Sequence, residues 1–102
     1  MSKVLYAVWC DLRPSIEEEW EDWMRNTHVP QVVRAPSFLG ARMYSAKEGG
    51  AARRVTIYEA KDVGALQRYI EGPAKSLRED CQKRFGDRTK LSRTVLEETY
   101  SF

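Results

Sequence analysis

A chain of 102 residues that is 42% hydrophobic and 31% charged can sustain one core and is too apolar to be a disordered tail. Lysine and arginine number 17 against 15 acidic residues, a net charge of +2 with both signs interspersed, which lacks the basic footprint of a nucleic-acid binder. The longest apolar run, Val4 to Cys10, is too short to span a bilayer and no secretory leader opens the chain, so the expectation is one domain over residues 1–102, cytoplasmic, with neither membrane nor nucleic acid as partner.

Val4, Tyr6, Val8 and Cys10 alternate with Leu5, Ala7, Trp9 and Asp11, so residues 3–11 read as a strand that is apolar on both faces. Pro14-Ser15 stops it. Ser15 with Glu18 predicts a capping box, and the acidic run Glu17 to Glu19 suits the positive end of a helix. Ile16, Trp20, Trp23, Met24, Thr27 and His28 then recur at spacings of three and four, the mark of an amphipathic helix. Pro30 disfavours helical backbone at Val29, which predicts a break or kink there and a short turn over 31–34.

Period two returns from Phe38 to Ala46, with Phe38, Gly40, Arg42 and Tyr44 on one face and Leu39, Ala41, Met43 and Ser45 on the other. Gly49-Gly50 marks a turn. Arg54 to Ala60 forms a third strand, with Thr56 and Tyr58 opposite Val55, Ile57 and Glu59. Asp62 caps a second helix carrying Leu66, Tyr69 and Ile70, which Gly72-Pro73 interrupts before the pattern resumes at Leu77, Cys81 and Phe85 and ends at Gly86. Lys90 to Tyr100 reads as the last strand.

This order predicts an α+β fold of ferredoxin-like βαββαβ type, a four-stranded antiparallel sheet with two helices on one face. Two helices leave the other apolar face of the first two strands uncovered. Dimerisation through the sheet, with two-fold symmetry, is the simplest remedy. Cys10 and Cys81 have no CxxC or Cys/His neighbours and read as buried free thiols, and one histidine without clustered ligands predicts no metal site.

The segment Glu19-Trp20-Glu21-Asp22-Trp23-Met24-Arg25-Asn26-Thr27-His28-Val29-Pro30 is followed by Pro36-Ser37-Phe38-Leu39-Gly40-Ala41-Arg42-Met43-Tyr44 and by Thr56-Ile57-Tyr58-Glu59. Together they resemble the dimeric α+β barrel superfamily, most closely its EthD-like branch, over residues 4–75. The resemblance implies a barrel made by two sheets and a range of chemistries: cofactor-free monooxygenases, polyketide cyclases, lactone isomerases and haem-degrading enzymes. Two positions depart from the branch pattern. Thr27 stands where an acidic residue commonly precedes the histidine, and Ser37 replaces the glycine of the turn.

His28 follows Met24 by four residues and Trp20 by eight, so it points toward the sheet. A neutral imidazole there could take a proton from a hydroxyl or activated carbon, or could fix the helix end by bonding a backbone carbonyl. Tyr44 and Arg42 are its expected catalytic companions, able to hold the oxygen of a phenol, enol or carboxylate. Tyr6, Trp20, Trp23, Tyr58 and Phe38 are expected to contact substrate, although aromatic residues in such patterns are more often core. Strand alternation leaves open which of the strand residues, Trp9 included, face the helices. The expected function is a small cofactor-independent enzyme, monooxygenase-, cyclase- or isomerase-like, acting on an aromatic or polyketide-like molecule. The alternative is a non-catalytic dimer that binds a small apolar ligand such as haem, or that acts by protein contacts.

Overall fold

The computed structural model describes residues 3–46 and 52–102. Strand β1 (Val4–Leu12) leads into a 3-10 turn (Pro14–Ile16) and helix α1 (Glu17–Trp23); a π-helical turn (Met24–His28) joins this to α2 (Val29–Val33). Strands β2 (Phe38–Ala46) and β3 (Ala52–Ala60) follow, then α3 (Val63–Glu71), α4 (Ala74–Phe85), a 3-10 turn (Gly86–Arg88) and β4 (Thr89–Glu97). The sheet order is β2-β3-β1-β4 with every neighbouring pair antiparallel. This is the expected βαββαβ arrangement. The expected Gly49-Gly50 turn lies outside the described residues.

Local chemistry explains most boundaries. The Asp62 carboxylate accepts a 2.7 Å hydrogen bond from the Ala65 N–H and starts α3. Gly86, at φ +56°, ends α4 in a conformation that side chains resist. Ser37, which replaces the glycine of the family-like turn, has no need of positive φ; its buried hydroxyl donates to the Ala65 carbonyl at 2.5 Å and ties the start of β2 to α3.

Three expectations need correction. The Ser15–Glu18 capping box does not form: Pro14 opens a 3-10 turn with Arg13 as its cap, so Ser15 lies inside that turn. Pro30 does not break the helix. The Val29 N–H donates to the Met24 carbonyl five residues back, and this wider turn accommodates a proline ring that a regular α-helix would force against a carbonyl. The last strand ends at Glu97 rather than Tyr100.

Register decides the faces of the sheet. Tyr6 opposes Tyr58, and Val8 opposes both Thr56 and Arg93; these residues face the helices. A bulge between Phe38 and Gly40 gives Leu39 no partner and reverses the alternation of β2. Phe38 therefore packs under the helices while Arg42 and Tyr44, opposite Ile57 and Val55, turn to the other face. Trp9 lies on that other face too, with the Arg53 guanidinium 4.6 Å from its ring centroid.

The helix side of the sheet carries two apolar clusters. One gathers Tyr6, Val32, Phe38, Tyr58, Leu66 and Tyr69; the other gathers Cys10, Ile16, Trp20, Trp23, Met24, Cys81 and Phe85. Arg54 reaches from β3 to bond Glu21 and Glu17 at 2.7 Å each, holding α1 against the sheet.

Candidate functional site

A cavity of about 40 Å³ lies where the two apolar clusters meet. Trp20, Met24 and His28, four residues apart in each step, present one stripe of the first helix to it. Strands β1 and β3 supply Tyr6, Val8, Cys10, Thr56 and Tyr58; α3 supplies Tyr69. The outer wall is α4 and β4, through Leu77, Arg78, Cys81, Leu91 and Arg93. The space holds roughly three water molecules, at about one per 10–15 Å³. A larger guest requires the wall to move outward, and α4 hangs on the Gly72-Pro73 interruption.

The imidazole of His28 stacks on the Trp23 indole, centroids 4.8 Å apart and planes at 23°, and Trp23 in turn meets the Phe85 ring edge-on at 5.4 Å. Burial pushes the His28 pKa down to about 4; the Asp80 carboxylate partly offsets this, and the Arg93 guanidinium adds to it. His28 is therefore neutral near pH 7. Asp80, on α4, is the acidic influence that Thr27 cannot supply from the neighbouring position. Two buried polar atoms of the cavity residues have no hydrogen-bond partner among the described residues: His28 Nδ1 and Trp20 Nε1. Such orphans are uncommon and each is expensive to leave unmade.

Two tyrosines and both cysteines at the cavity are held in their neutral forms. Burial raises Tyr58 far above the ordinary phenol range, reinforced by Tyr69 and Tyr6, and pushes Tyr69 up to about 12. Burial likewise pushes the Cys10 thiol up to about 12 and raises Cys81, so neither supplies a thiolate nucleophile. The cavity thus offers neutral donors and an imidazole to an oxygen-bearing guest, with Arg78 and Arg93 at its outer wall.

Four of the residues singled out from sequence meet at this cavity: His28, Tyr6, Trp20 and Tyr58. Trp23 and Phe38 stand behind its wall, one stacked on His28 and the other 5.4 Å from the Tyr58 ring centroid. Arg42 and Tyr44 are separated from His28 by the sheet itself, because the bulge at Leu39 turns them to the far face. Arg78 and Arg93 were not foreseen. Their signal was present: Arg78 interrupts the apolar stripe Ala74, Leu77, Cys81, Phe85, and Arg93 shares a strand face with Leu91 and Val95.

Among the described residues no helix is long and apolar enough to cross a membrane, and no group of three or more His, Cys, Asp or Glu side chains could hold a metal ion. No curated protein sequence matches the chain. Solved structures do. A dimeric ferredoxin-like protein from an uncultured marine organism superposes with a TM-score of 0.80 at 16% identity, covering 100% of both chains. An EthD family protein of Bacillus halodurans gives a TM-score of 0.72 at 16% identity, covering 94% of this chain and 99% of that one. SnoaB, a cofactor-independent oxygenase from Streptomyces nogalater, gives 0.67 at 14% identity over 97% of this chain and 95% of its own. At these identities the likeness concerns the fold, and that fold is the ferredoxin-like α+β type the sequence motif pointed to. A profile match over residues 3–99 completes the assignment: the chain belongs to the DUF4286 family, a domain of unknown function.

Proposed function

We propose that this protein is a homodimeric, cofactor-independent enzyme that takes the oxygen-bearing end of a small apolar or aromatic molecule into the cavity beneath the first helix. The observation that carries this reading is the pair of unpartnered buried atoms, His28 Nδ1 and Trp20 Nε1, on residues of one cavity. The Trp20 N–H can donate to a substrate oxygen, and His28 can exchange a proton with it. The O–H bond of a phenol or enol breaks, its proton passes to the imidazole, and the electron pair stays on oxygen. An oxyanion beside His28 opposes the burial that keeps the imidazole neutral, so proton transfer becomes favourable only with substrate in place. The resulting anion is the form that reacts in monooxygenase-, cyclase- or isomerase-like chemistry. The likeness to a cofactor-independent oxygenase supports this class.

The low basicity of His28 favours a second reading, in which the cavity binds its ligand without turnover. Activity of His28→Ala separates the two. On the catalytic reading, turnover of a phenolic substrate falls by a factor of about 100 or more while the fold is retained, the ordinary contribution of a positioned acid or base. Unchanged turnover removes His28 from the chemistry. Haem would need a far larger outward movement of α4 from this cavity of about 40 Å³ than a single-ring guest.

The dimer part of the proposal rests on the other sheet face, where Leu5, Trp9 and Ile57 are only half-buried and Tyr44 and Leu96 are exposed. Ile57→Lys, placed at the middle of that face, is expected to convert the dimer to monomer at micromolar concentration in sedimentation equilibrium, because the two-fold brings a desolvated charge into the apolar contact. A dimer that survives this change pairs through another surface.

A further inference from the structure

We propose that the cavity's ligand carries a carboxylate, received by Arg78 of α4 and Arg93 of β4 where the cavity opens between these two elements. The proposal rests on the reading of the cavity above and names its substrate class: an apolar acid with an oxygen at its inner end.

The two arginines border two spaces at once. They line the inner cavity, and together with Leu91 they also line an outer groove of about 380 Å³ between α4 and β4. Any molecule passing from the groove to the cavity passes these two residues. Their charges are also uncommitted, unlike those of Arg53, Arg54 and Arg88. Arg54 is bound by two carboxylates, Arg53 meets Asp11, and Arg88 donates to the carbonyls of Phe85 and Arg84. Arg78 and Arg93 have no hydrogen bond or ion pair among the described residues. Glu79 borders the same groove and pairs with neither, leaving two cations against one anion at the mouth.

Both arginines are exposed at the rim, yet their positions in α4 and β4 bring them to the cavity. Arg78 falls on the inner stripe of α4, four residues after Ala74 and three before Cys81. Arg93 is on the helix-facing side of β4, opposite Val8. Guanidinium groups match carboxylates in planar, two-pronged geometry. With the carboxylate held there, the apolar body points inward, toward His28 and Trp20.

The experiment compares 4-hydroxybenzoate with its neutral counterpart 4-hydroxybenzyl alcohol, binding being followed by NMR through the Trp20 indole N–H and the His28 ring signals. Both probes carry the phenol that the cavity reading requires; only one carries the carboxylate. Wild-type protein is expected to bind the acid about tenfold more tightly, the worth of a charge-assisted hydrogen bond. Arg93→Gln and Arg78→Gln should each reduce that preference while leaving affinity for the alcohol unchanged, and Arg34→Gln, on the surface beyond α2, should alter neither. Equal affinity of the wild type for both probes overturns the carboxylate assignment and leaves the cavity reading standing, as does an acid preference that persists in the Arg78→Gln/Arg93→Gln double variant. If neither probe moves the Trp20 and His28 signals, the cavity reading falls and this inference falls with it.

Discussion

Trp20→Ala is expected to leave the protein largely unfolded, at a cost of about 3–5 kcal/mol, the range for removing a fully buried tryptophan. Trp20 is 1% exposed and belongs to the cluster that joins α1, α4 and β1. Small proteins have total stabilities of only about 5–15 kcal/mol, so the loss consumes most of it. Trp20→Phe is the informative partner. It also removes packing volume, but it deletes an indole N–H that has no partner among the described residues. Relief of that unmade bond, itself of order 1–3 kcal/mol, offsets much of the lost packing. Urea titration at pH 7 should therefore place Trp20→Phe within about 1 kcal/mol of wild type. A Phe variant as damaged as the Ala variant shows that the indole N–H makes a stabilising bond in the resting protein, which removes half of the support for the proposed site.

The second large effect is on acid stability. His28 is the sole histidine, with a pKa of about 4 in the folded state against 6.5 unfolded. Between these values the unfolded chain binds the proton and the folded one does not, so lowering the pH favours unfolding. The stability associated with neutral His28 is fully present above pH 6.5 and declines as pH falls toward 4, with no further loss below. At about 1.4 kcal/mol per unit, the difference amounts to roughly 3 kcal/mol. His28→Gln should flatten the dependence of unfolding free energy on pH in that window. Glu21, whose pKa is lowered by its hydrogen bond to Arg54, acts only at lower pH and remains in both proteins. An unchanged slope in His28→Gln shows that the imidazole is not desolvated in the fold. A ligand anion that pairs with the imidazolium should raise the folded-state pKa and so shrink this loss of stability in acid.

Much of this molecule was legible in sequence because its signals are local. Alternation at Val4–Cys10 and Arg54–Ala60, the stripe Trp20–Met24–His28, the Asp62 cap and the Gly72-Pro73 and Gly86 stops each depend on neighbours within a few positions, and each corresponds to an observed feature. Pairing Tyr6 with Tyr58 on the helix face followed once the register was known. The motif from Glu19 to Tyr44 specified the fold family for the same reason: it is a continuous run of sequence.

The sequence by itself thus determined the order of elements, the amphipathic faces of the helices and the inward direction of His28. Only the tertiary structure decided which face of β2 sees the helices, because one unpaired residue, Leu39, reverses every side chain after it. That single residue takes Arg42 and Tyr44 out of the candidate site. Tertiary packing also decided how Pro30 is tolerated, through a wider helical turn stabilised by burial of Met24 and Val32 on either side. Finally, it brought Arg93 of the last strand and Arg78 of the last helix beside a histidine of the first. Residues 50 and 65 positions from His28 carry no local signal of that meeting. The cause is the antiparallel return of β4 along β1, which no periodicity within one segment can encode.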